Sequence, residues 1–83
     1  MPIYLDRHDH VPGLTAEAIA QAHARDMEVG AKYGVQYFRY WFDETTGRVF
    51  CLVEAPTEEA ANAVHREAHG LLADELTEVR EGA

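Results

Sequence analysis

Cysteine is almost missing from this chain. Cys51 is the only one, so no disulfide can form within it. A lone thiol in a short chain fits a reducing compartment and predicts a cytoplasmic protein. Basic residues are scarce as well: seven Lys and Arg face fifteen Asp and Glu, a net charge of −8, and none of them cluster into a basic face. That balance repels a phosphate backbone and an anionic membrane surface, so nucleic acid and lipid are excluded as partners. It suits the gathering of cations. No apolar run approaches the ~20 residues of a membrane span. The start, Met1-Pro2-Ile3-Tyr4-Leu5-Asp6, lacks the charged segment and apolar stretch of a secretory leader. There is no glycine-rich phosphate loop, and no Ser-His-Asp or Cys-His spacing marks a nucleophile, so no catalytic residues are predicted.

What remains is an ordinary globular balance, 47% apolar and 27% charged over 83 residues, which predicts one domain spanning residues 1–83. A chain of this size hides only about 60–65% of its unfolded surface, so a partner subunit or a metal would help it. Ile3 to His8 partly alternates as a strand, with Ile3 and Leu5 on one face and Tyr4, Asp6 and His8 on the other. Thr15 caps a first helix that runs to about Lys32, with Leu14 set to pack on Ile19, and Gly34 stops it. Val35 to Asp43 is aromatic and β-branched, hence a strand. Glu44-Thr45-Thr46-Gly47 turns it into a third strand, Arg48 to Glu54. Thr57 caps a second helix ending near Gly70, and Thr77 to Arg80 gives a short last strand.

The order strand–helix–strand, twice over, predicts an α+β fold of the ferredoxin-like βαββαβ type. It would be a four-stranded antiparallel sheet with both helices on one face. Strict alternation on the second strand groups Phe38, Tyr40 and Phe42 against Tyr37, Arg39 and Trp41. Since two helices cover one face only, the other carries an apolar, aromatic patch, which predicts a homodimer.

Five histidines are the unusual feature. His65 and His69 stand at i and i+4 on the second helix, one turn apart, a spacing that grips a transition metal from one side. The pair alone also fits a boundary residue and a helix C-terminal group. His23 sits at the matching distance from its own threonine cap, and with the helices side by side in one direction it would face His65. Asp26, a turn further on, would be a carboxylate ligand or a partner orienting an imidazole. At the end of the first strand Asp6, His8 and His10 share a face by period two, a carboxylate–imidazole–imidazole set suited to nickel, zinc or cobalt. Strand end and helix end are expected at opposite ends of the unit. His8 and His10 would then form a separate site or meet ligands of the other subunit. Cys51, among Val49 and Val53, reads as a small buried hydrophobe ahead of the alternative, a thiolate ligand or nucleophile.

The stretches Tyr33-Gly34-Val35, Tyr40-Trp41-Phe42, Phe50-Cys51-Leu52-Val53-Glu54-Ala55-Pro56 and Val64-His65-Arg66-Glu67-Ala68-His69-Gly70 carry a resemblance. From Pro2 to about Val79 the chain resembles a family of small actinobacterial nickel-binding proteins with a dimeric ferredoxin-like fold. The resemblance implies nickel(II), or another divalent transition metal, bound by a homodimer without established catalytic activity. The leading expectation is therefore metal storage, buffering or sensing. The alternative is a small dimeric α+β-barrel enzyme, of the cofactor-independent monooxygenase or isomerase type, with His23 or His65 as general base.

Overall fold

Backbone pairing joins the four strands into one antiparallel sheet, in the order β2-β3-β1-β4. The computed structural model describes residues 1–83. Along the chain come strand β1 (Ile3–His8), helix α1 (Ala16–Tyr33), strands β2 (Gln36–Asp43) and β3 (Arg48–Glu54), helix α2 (Glu58–Ala68) and strand β4 (Glu75–Glu78). This is the ferredoxin-like α+β arrangement. No helix is long and apolar enough to cross a membrane.

Both helices start as their sequences dictate. The Thr15 hydroxyl accepts from the Ala18 amide and the Thr57 hydroxyl from the Ala60 amide, each at 3.1 Å. Helix α1 stops at Gly34, whose φ of 67° suits a residue without a side chain. One helical turn earlier, Gly30 lets α1 lie against the start of β2. A Cβ there would stand 2.5 Å from the Val35 carbonyl oxygen.

The register decides the direction of the helices. His8 pairs with Val49 and Ile3 with Glu54, so β1 and β3 end at opposite edges of the sheet. Helix α1 leaves from the His8 end and α2 from the Glu54 end. The two therefore run antiparallel, not in one direction as expected. Helix α2 returns to the His8 end, where β4 begins with Glu75 beside Arg7. The ends of β1 and α2 are thus neighbours, which overturns the expectation that they lie apart.

Alternation on β1 turns Tyr4, Asp6 and His8 toward the helices, all buried, alongside Val49, Cys51 and Val53 of β3. On β2 the alternation breaks: the register shifts between Tyr37 and Arg39. This bulge at Phe38 brings Tyr37 opposite Val53, Tyr40 opposite Cys51 and Phe42 opposite Val49. Tyr37 therefore joins Tyr40 and Phe42 rather than Trp41. Its ring is buried and its hydroxyl donates to the Ala61 carbonyl at 3.0 Å. Strand β4 comes two residues earlier than Thr77–Arg80, because Leu76 opposite Asp6 closes the helix-covered face and Glu75 pairs with Arg7 at 2.8 Å. The other face of the sheet sets Leu5 opposite Leu52 and Trp41 opposite Phe50, with Trp41 49% exposed.

Candidate metal centre

Antiparallel helices over the end of β1 bring four segments to one point. Helix α2 supplies His65, which is 1% exposed, and His69 at its C-cap. Helix α1 supplies Asp26, strand β1 supplies Asp6 and His8, and β3 supplies Cys51; all four are buried.

His65 meets a carboxylate at each ring nitrogen. Its Nδ1 lies 2.9 Å from Asp26 Oδ1 and its Nε2 lies 2.7 Å from Asp6 Oδ2. A carboxylate only accepts, so both nitrogens carry protons and the ring is an imidazolium. Burial alone would push its pKa down, but the hydrogen bonds to Asp26 and Asp6 outweigh it and raise the value to about 9. Asp26 answers in kind. Burial would raise its pKa, yet the hydrogen bonds from His65 and His69 hold it below the usual carboxylate range.

His69 is assigned by its neighbours. The Leu71 amide donates to its Nδ1 at 3.1 Å, which leaves the ring proton on Nε2 to donate to Asp26 Oδ1 at 3.0 Å. Asp6 Oδ1 accepts from the Cys51 amide at 3.0 Å. His8 stacks edge-on against His65, with ring centroids 5.0 Å apart and its Nε2 3.6 Å from Asp6 Oδ1. Burial pushes the His8 pKa down, against the pull of Asp6, and pushes the Cys51 thiol up. Two carboxylates thus face one imidazolium, a net negative charge in a site shielded from water. Such a site favours a cation.

The donor spacing fits a metal. His65 Nδ1, His69 Nε2 and Asp26 Oδ1 lie 2.9, 3.0 and 3.2 Å from one another. With bonds of about 2.1 Å, ligands at right angles sit about 3.0 Å apart and tetrahedral ones about 3.4 Å. The cavity beside them has a volume of about 20 Å³, room for a water or two, and His8, Ile19, His23, Tyr40 and Val49 line it.

Of the seven residues singled out in the sequence, Asp6, His8, Asp26, His65 and His69 converge here. His23 lines the same cavity and lies 4.7 Å from the Tyr40 ring, but it stands outside the donor clusters, and its buried Nδ1 has no partner. It does not face His65 as a matched pair, because the helices run in opposite directions. His10 leaves the group: β1 ends at His8, and the exposed His10 ring packs against Gly47 in the hairpin loop. Cys51, which the sequence ranked as core ahead of ligand, enters as a potential donor. Its signal was its place opposite Asp6, which only the register reveals.

A ferredoxin-like α+β domain that buries an Asp–His donor cluster between sheet and helices defines a class of small proteins with an internal site of metal-ligand chemistry. Within it, residues 4–79 match the nickel responsive protein SCO4226-like family, and the chain belongs to that family. The chain is similar throughout to the crystal structure of SCO4226 from Streptomyces coelicolor A3(2). The TM-score is 0.89 at 36% sequence identity, covering 98% of this chain and 99% of that one. No curated protein matches the sequence.

Proposed function

We propose that the protein binds a divalent transition metal, nickel(II) first, and acts as a cytoplasmic, homodimeric store, buffer or sensor of that ion. One observation carries the reading: three donors from two helices stand 2.9–3.2 Å from one another inside a buried cluster of negative charge. His65, His69 and Asp26 would hold the ion, and a charge of +2 balances Asp6 and Asp26 once His65 Nδ1 gives up its proton. Asp6 then receives the remaining Nε2–H and fixes the ring. The preference for nickel among divalent ions draws its support from the nickel responsiveness in the family's name. The homodimer draws its support from the apolar outer face of Leu5, Leu52, Phe50 and Trp41.

The test is calorimetric titration of nickel into tag-free protein. Saturation at a definite ratio is expected, with His69→Ala and Asp26→Asn each weakening affinity at least about tenfold. Weak binding that never saturates overturns the reading. The enzyme alternative has one observation in its favour: His23 Nδ1 is buried on the cavity wall without a partner, and burial lowers its pKa, as a neutral base requires. Turnover of a small aromatic substrate by metal-free protein, lost in His23→Gln, would favour that alternative.

A further inference from the structure

Two of the three donors in the proposed site lie out of reach of solvent. His65 is 1% exposed and Asp26 3%, so an ion bound for them first crosses the outer part of their cavity. Of the residues lining it, Val11, Ala22, His23, Tyr40 and His69 are half-buried and the rest are buried. These five form its outer end. Val11 and Ala22 offer no ligand atom there, and a protonated Tyr40 phenol is a poor one. His69 has both nitrogens engaged, Nδ1 by the Leu71 amide and Nε2 by Asp26.

His23 differs. Its buried Nδ1 has no partner, and its ring rests against Tyr40 with centroids 4.7 Å apart. Burial lowers its pKa, so at neutral pH the ring is uncharged and keeps a lone pair for a metal. We infer that His23 is a relay ligand of metal uptake, which takes a divalent cation at the outer end of the cavity and passes it to Asp26 and His69. The inference rests on the metal-binding reading of the buried site.

Placement suits that role. His23 and Asp26 stand three residues apart on α1, on one face of the helix, and both line the cavity. Transfer would run between neighbours on a rigid element. His23 is not among the donors Asp26, His65 and His69, whose ligand atoms lie within 4.8 Å of one another. It therefore assists passage without belonging to the bound set. The rest of the wall is largely apolar, with Val11, Ile19, Ala22 and Val49. A divalent ion crossing it sheds hydration with little in return, and an imidazole on the way offsets part of that cost. Entry and exit cross the same barrier. A group that lowers it speeds both by one factor and leaves the equilibrium unchanged.

Stopped-flow mixing of nickel(II) with full-length, tag-free protein tests this, with murexide reporting free metal. Release is followed separately into excess EDTA. His23→Leu should slow uptake and release alike, by about tenfold, with the calorimetric Kd held within about twofold. A merely structural role would not give this pattern, since a loosened site weakens affinity and quickens release. His23→Gln, which keeps a polar group of similar reach, should show the same slowing and serves should leucine disturb the packing against Tyr40. Uptake at an unchanged rate in both variants overturns the relay and leaves the proposed function standing. Weaker affinity with faster release also overturns it, by making His23 a ligand of the bound ion. Nickel that never saturates the unaltered protein overturns the metal-binding reading and the relay together.

Discussion

At the scale of single residues, His65 ties α2 to both β1 and α1 because each of its nitrogens meets a carboxylate from a different element. Two predictions belong here. First, the metal-free protein should lose stability as pH rises. The folded-state pKa of His65 is about 9 against an ordinary 6.5, so the folded chain binds the extra proton between these values. Its contribution, on the order of 3 kcal/mol, is fully present below about pH 6.5 and is lost as pH rises through 9. Urea unfolding of metal-free protein across that range checks it, and a midpoint that does not fall with pH would contradict it. Second, Asp6→Asn keeps the shape but removes the charge that fixes the His65 ring. Nickel affinity should drop about 10–100-fold by calorimetry.

Among the elements, the contact of α1 with the start of β2 depends on Gly30. An added methyl would press on the Val35 carbonyl oxygen, a backbone atom that cannot move aside. Gly30→Ala should cost about 1–3 kcal/mol in chemical unfolding despite the better helix propensity of alanine. The end of α2 carries a different consequence. Metal ligation through His69 Nε2 moves the proton of the neutral ring to Nδ1, where it opposes the Leu71 N–H that now donates there. Nickel binding should therefore break that hydrogen bond. With diamagnetic zinc as a stand-in for nickel, the Leu71 amide resonance should shift strongly, while amides at the Thr15 cap stay in place.

For the molecule as a whole, the open face of the sheet is the surface on which the proposed dimer would form. Leu5, Leu52, Phe50 and Trp41 share the face of the sheet that no element of the chain covers, with Arg7 and Arg39 beside them. If two copies bury it, Leu52→Glu and Trp41→Glu should each convert a dimer to a monomer in light scattering coupled to size exclusion. Unaltered protein that runs as a monomer at every loading concentration would refute this.

The element order, both threonine caps, the Gly34 stop and the hairpin loop were legible along the chain, because each depends on neighbours in sequence. So was the His65–His69 pair, since a helix sets residues four apart on one side. Tertiary structure decided the rest. Ile3 and Leu5 look like the core face of β1, yet Asp6 and His8 are the buried residues, because they face partners on other segments. The bulge at Phe38 swapped the face of Tyr37, and antiparallel helices brought Asp26 to His65 and left His23 aside. Cys51 gained its place beside Asp6 from strand register alone. Local rules act through the backbone of a few residues, whereas a buried donor cluster requires charges distant in sequence to neutralise one another in space, and only the folded chain sets those distances.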